Sequence, residues 1–299
     1  TLSGQNDGIY INNGTTLTKE QSNIFNVNGN NSNGIFANTG SNLAKSSGST
    51  FKVLGNNSNG ILKTTSNNTI VENGTFTVSG SGSTGITYNG GSSSESVSGS
   101  TFTVNGGPSS AGIHMVSATA LTIDPKTPFT VSSSSIGIEL ENNGIQKKTV
   151  TFNGGGSSTY TDMILSGDKN IAVNIHGGIM NETSDTNKEI TLTKGTGKKG
   201  LDITIQGNQN IGYNNLGYVK SLTIDNGDDP IALNSLDGHG RIKIGTYTPG
   251  TGTTGHNSNV IFANQGYVEG GSIKLKQIEV DGNNNTIAYF AKGNGNYST

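Results

Sequence analysis

Apolar and polar residues alternate along this chain in short runs, and the runs recur at a fixed distance. Thr75-Phe76-Thr77-Val78 and Thr101-Phe102-Thr103-Val104 place Phe and Val on one face and Thr on the other, and a period of two is that of a β-strand. Gly-Ile pairs begin at Gly8, Gly34, Gly60, Gly85, Gly112 and Gly137, spaced 26, 26, 25, 27 and 25 residues apart. A second series runs Phe25, Phe51, Phe76, Phe102, Phe129 and Phe152, and the first five carry Val two positions later. A weaker third series is Leu17, Leu43, Ile70, Val97, Leu121 and Ile145. The stretch from Gly29 to Ile35 recurs letter for letter from Gly55 to Ile61. Three strands in each unit of about 26 residues, separated by Gly/Asn/Ser/Thr turns, predict one coil of a right-handed parallel β-helix. A lone coil cannot bury its inward face, so only stacking makes it stable. The length of 299 residues divided by this period predicts about eleven coils and almost no helix.

The pattern persists beyond residue 152 but loses its strict period. Strand-like runs continue at Ile171 to Val173, Ile190 to Leu192, Leu201 to Ile205, Ser221 to Ile224 and Ile231 to Leu233, then at Arg241 to Ile244, Val260 to Ala263, Ile273 to Val280 and Thr286 to Phe290. Residues 1–299 therefore read as a single solenoid, regular over 1–152 and less regular over 153–299. Three insertions interrupt the second part: Asn153 to Asp162, Asn181 to Gly200 and Gly245 to Asn259. Insertions in solenoids map to loops on one face, often the binding face.

Composition narrows the class. Only 29% of residues are hydrophobic and 13% charged, with 46 Gly, which suits a thin core of stacked columns better than one wide core. The formal net charge of −2 separates the chain from disordered segments, which pair low hydrophobicity with high charge. A single Arg, Arg241, excludes a phosphate-backbone footprint, so no nucleic-acid partner is expected. Zero Cys removes disulfides and thiolate chemistry. No apolar run is long enough for a membrane helix. Thr1-Leu2-Ser3-Gly4 is no signal segment, and the chain reads as a mature piece, or an excised fragment, of something longer.

Candidate chemistry is sparse. Asp228-Asp229, Gly238-His239-Gly240 and Arg241-Ile242-Lys243 match, element by element, the polygalacturonase-type β-helix hydrolases, where paired carboxylates drive inverting hydrolysis. That family spreads the three elements over successive coils, whereas here they share one short stretch. Four histidines, His114, His176, His239 and His256, show no His-x-x-x-His spacing, so they read as isolated residues and neither a metal site nor a cofactor is expected. The Lys194, Lys198 and Lys199 group reads as a solvated loop. Outward Thr75, Thr77, Thr101, Thr103 and Thr130 read as ordinary exposed strand residues, with Lys52 interrupting the series. Recognition falls to the insertions, where Tyr160, Tyr247 and His256 are the candidate contact residues.

The Gly-Ile units and Thr-Phe-Thr-Val strands of residues 8–152 resemble the β-helical passengers of bacterial type V autotransporters, above all the Asn/Ser/Thr/Gly-rich adhesins of fusobacteria and the vacuolating-toxin-like group. The resemblance implies a non-catalytic, virulence-associated rod, exposed on the cell surface or secreted, that attaches to a protein or glycan receptor on host or partner cells. Contact with a membrane would run through a C-terminal barrel outside this chain. A polysaccharide-cleaving hydrolase or phage-type tailspike is the alternative class.

Overall fold

A computed structural model describes residues 6–91, 93–124, 126–141, 147–153, 161–177, 189–195, 200–225, 241–244, 259–274, 277–280 and 286–290. Every regular element among them is a β-strand, and every strand pairing is parallel. Three long sheets run side by side along the chain, with ten, nine and nine strands, and a small two-stranded sheet pairs Leu17 with Leu43 in the first coils. Each coil contributes one strand to each long sheet, so the molecule is the parallel β-helix that the repeats predict.

The first sheet carries the Gly-Ile series. Ile9, Ile35, Ile61, Ile86, Ile113 and Ile138 stand opposite one another in register, and the column continues through Val173, Tyr213, Phe262 and Ala288. The described residues thus hold nine complete coils and the first strand of a tenth, where division by 26 suggests eleven. The difference lies in three long coils, since 35, 40 and 49 residues separate Ile138, Val173, Tyr213 and Phe262.

The second sheet carries the phenylalanines. Phe25, Phe51, Phe76, Phe102 and Phe129 stack almost face to face, with ring centroids 4.6 to 4.8 Å apart and planes within 6°. That spacing is the inter-strand distance of a parallel sheet, so the rings follow the backbone ladder. Their column explains the glycine of each Gly-Ile pair. A Cβ on Gly34 would lie 2.6 Å from the carbonyl oxygen of Gly60 and 3.0 Å from the ring of Phe51. Gly8, Gly60, Gly85 and Gly112 meet the same two neighbours, the next coil's glycine carbonyl and a column ring. After Phe129 the column passes to Met163 and then Ile203, and the glycine column passes from Gly137 to Ala172.

Two readings of the series need correction. Phe152 does not extend the Phe column; it pairs with Ile123 in the third sheet. In that sheet Val71, not Ile70, points inward and pairs with Val97, while Ile70 is 42% exposed. Leu121 stands opposite Glu95 rather than Val97, and Ile145 lies outside the described residues. A slip of one residue reverses the face of a strand, and a spacing count cannot see it where the third run of each unit is short.

Backbone turns are tied together by buried side chains. The hydroxyl of Ser58 accepts from the amide of Ser32 at 3.1 Å and donates to the carbonyl of Gly29 at 2.8 Å. Ser83, Ser110 and Ser135 reach back to Gly55, Gly80 and Gly107 in the same way. Asn170, Asn210 and Asn259 then take over this column, each side-chain oxygen accepting from the amide of the residue one coil before.

Replacing Phe76 by Ala is expected to cost about 3–5 kcal/mol in urea unfolding, the range for a buried ring, whereas Thr77→Ala, on the opposite face, costs under about 1 kcal/mol. Equal losses at the two positions would mean that the inward and outward assignment is wrong.

Candidate functional site

The contact residues expected in the insertions, Tyr160, Tyr247 and His256, lie outside the described residues, as do Asp228, Asp229 and His239. Arg241 to Ile244 forms a strand of the second sheet, pairing with Ile203 to Ile205 on one side and Gln277 to Val280 on the other. The insertion placed at Asn181 to Gly200 is interrupted by a strand that the run Ile190 to Leu192 already predicts. Glu189–Lys194 is a strand of the third sheet within the span 181–200. Asn259 belongs to the buried asparagine column, where its amide donates to the carbonyl of Gly207 at 2.9 Å.

The structure gathers side chains elsewhere. On the first sheet, the position after each inward Ile points outward, and its column reads Leu62, Thr87, His114, Glu139, Asn174, Asn214 and Ala263. Two positions beyond Glu139, Glu141 stands opposite His176. Thr87 and Asn174, which flank the charged pair, are occupied by Asn59 and Asn214 at 2.6 and 2.9 Å. His114, Glu139, Glu141 and His176 therefore face one another. His114 Nε2 lies 3.3 Å from Glu141 Oε2 and 4.0 Å from Glu139 Oε2, and His176 Nε2 lies 3.3 Å from Glu139 Oε1. The imidazole centroids are 6.0 Å apart. Both Nε2 atoms are shut off from solvent, and neither makes a hydrogen bond despite the nearby carboxylates.

The expectation of isolated histidines therefore fails for His114 and His176. Sixty-two residues separate them in the chain, and no short motif joins them. The signal was the repeat itself: His114 follows Gly112-Ile113, and Glu139 follows Gly137-Ile138, so the repeat alone puts these two residues in one column. His176 was hidden because the intervening coil is one of the long ones.

Charge is also buried within the coils. Lys63 and Glu95, both inward and fully enclosed, form an ion pair, and Glu95 accepts a further hydrogen bond from the amide of Thr69 at 2.9 Å. Burial pushes the lysine down and the carboxyl up, while the attraction between them opposes both shifts. Removing one partner of such a pair strands the other, which is far more costly than removing both. Beside the histidine cluster, Lys148 is buried and donates to the carbonyls of Val116 and Ala118 at 2.8 and 3.1 Å, holding the turn after the strand of His114. Burial pushes its ammonium down to about 8, against the opposing pull of Glu141.

The class defined by this fold is the parallel β-helix, with a four-residue His/Glu cluster on one face. No family model, no curated protein and no solved structure matches the chain.

Lys148 gives the stability a pH dependence of known sign. Between pH of about 8 and 10.5 the unfolded chain holds a proton that the folded one has released, so stability rises with pH through that window. The urea midpoint of the wild type is expected to climb relative to Lys148→Met between pH 8 and 10. Parallel curves for the two proteins would remove Lys148 as the cause.

Proposed function

We propose that this chain is a non-catalytic rod displayed on a bacterial surface, where it attaches the cell to a host or partner cell. The observation that carries the reading is the unbroken parallel ladder from Asp7 to Phe290, one coil upon the next in three sheets. Such a ladder resists bending because every coil is hydrogen-bonded to both neighbours, and it holds whatever leaves the coils at a set height. The coils of 35, 40 and 49 residues carry more chain than three strands and their turns use, so the excess is available for contact with a partner. A rigid base limits the entropy lost when such segments bind. Tyr160, Tyr247 and His256 fall in this excess, and large amphipathic side chains are the usual anchors of an interface. The likeness of the repeats to autotransporter passengers supports the surface location, with a receptor of protein or glycan character.

Beads coated with the full chain are expected to bind host or partner cells above albumin-coated beads. Exchanging residues 245–258 for a short Gly-Ser turn, with Asn259 kept because the asparagine column needs it, should lower that binding while the far-ultraviolet circular dichroism and melting stay unchanged. Beads that never exceed the albumin control would overturn the attachment reading. Reducing ends released from polygalacturonate, and lost in Asp229→Asn, would establish the hydrolase instead.

A further inference from the structure

We propose that His114, Glu139 and His176 form a binding site for one divalent transition-metal ion of the zinc class, with Glu141 as a supporting carboxylate beside it. The inference stands apart from the attachment reading and rests on the first sheet alone. One donor atom from each of the three residues lies within 4.8 Å of the other two. Two ligands of a tetrahedral zinc, each bonded at about 2.0–2.1 Å, stand about 3.3–3.4 Å apart. His176 Nε2 and Glu139 Oε1 are separated by 3.3 Å, and the 4.0 Å between His114 Nε2 and Glu139 Oε2 closes with a small swing of either side chain.

Three further observations favour an ion over plain His–Glu pairing. Both imidazole Nε2 atoms are enclosed yet make no hydrogen bond, and an enclosed polar atom left without one is costly unless something fills the gap. Strands two apart in a parallel sheet are about 9.6 Å apart, yet the two rings lean over the intervening strand until their centroids are 6.0 Å from each other. The donor set is two imidazoles and a carboxylate, which suits zinc, copper or nickel; calcium and magnesium take oxygen ligands. Two carboxylates next to neutral imidazoles also balance a divalent charge. The backbone beneath is firmly held, because Ile113, Ile138 and Val173 lie buried in register on the inner side of the same three strands.

The place of the site gives it a role. It spans Ala111–Met115, Ile136–Glu141 and Ile171–His176, the three coils at which the spacing changes from 25 to 35 residues. An ion there would tie the last regular coils to the first long one. Three protein ligands leave a fourth position for water or for a donor from a partner.

The test is calorimetric titration of the full chain, stripped with chelator, with zinc chloride. Saturation at one zinc per chain is expected, together with a melting temperature that rises on zinc addition. Glu139→Gln, nearly isosteric, and His114→Ala and His176→Ala should each weaken zinc binding more than about 100-fold, with Glu141→Gln nearer 10–100-fold, the range for a supporting partner. Cobalt(II) should give visible bands of four-coordinate intensity in the wild type and lose them in Glu139→Gln. Circular dichroism checks that each variant is folded. Zinc binding by the wild type that survives unchanged in His114→Ala/His176→Ala would overturn the proposal. So would the lack of any saturable zinc binding, or saturation by calcium in preference to zinc.

Discussion

The close approach of a glycine backbone, a carbonyl and a phenylalanine ring sets the register of the regular coils, from Gly8 to Phe129. In each regular coil the glycine of the Gly-Ile pair faces both the carbonyl of the next glycine, 2.6 to 2.8 Å from where a Cβ would stand, and the ring of a stacked phenylalanine. Neither neighbour can move alone, because the carbonyl belongs to the ladder and the ring is clamped between two others at about 4.8 Å. A shift of one residue would drive Ile into the place of Gly and send Phe outward, so the coil has one way to lie. With few large apolar residues in the chain, this stacking of like on like is what gives it a core: each ring covers the next, and only the ends of the column need other cover.

The buried polar column solves the matching problem at the turn. A turn between stacked coils leaves amides and carbonyls enclosed, and an enclosed unpaired group costs as much as a lost hydrogen bond. Ser58, Ser83, Ser110 and Ser135 each satisfy such a group, and Asn170, Asn210 and Asn259 continue in the same column. The change from Ser to Asn falls between Ser135 and Asn170, where Phe gives way to Met163, glycine to Ala172, and the coil lengthens. Three columns thus change together at one level of the rod, and the His/Glu cluster sits on its outer face. The rod has two styles of coil joined there, both built on one ladder.

The fold was legible because its core is made of identical residues at a constant spacing. Gly-Ile and Phe-x-Val repeats announce both the inward faces and the coil length, and the structure keeps both. The third sheet was less legible, since its early strands are two or three residues long and Val71 beside Ile70 offers two apolar candidates for one inward place. The outer cluster was hidden for a different reason. Ligand motifs are usually sought within one strand or helix, whereas His114, Glu139 and His176 come together only through cross-coil register. Buried charges such as Lys63 and Glu95, 32 residues apart, escape for the same reason: each looks like an ordinary surface residue until the coil closes over it.

A rod of this kind presents repeated, shape-poor side chains along its regular coils. The regular half depends on the glycine–ring lock holding its register. The most direct measurement is urea unfolding of Gly85→Ala beside Gly270→Ala. A Cβ on Gly85 would meet the carbonyl of Gly112 at 2.6 Å and the ring of Phe102 at 3.2 Å, while one on Gly270 meets nothing within 4 Å. The account predicts a loss of about 1–3 kcal/mol at Gly85, as overpacking costs, and a neutral or slightly stabilising change at Gly270, up to about 1 kcal/mol. A Gly85→Ala protein within about 0.5 kcal/mol of the wild type, the spread of ordinary surface changes, would contradict it.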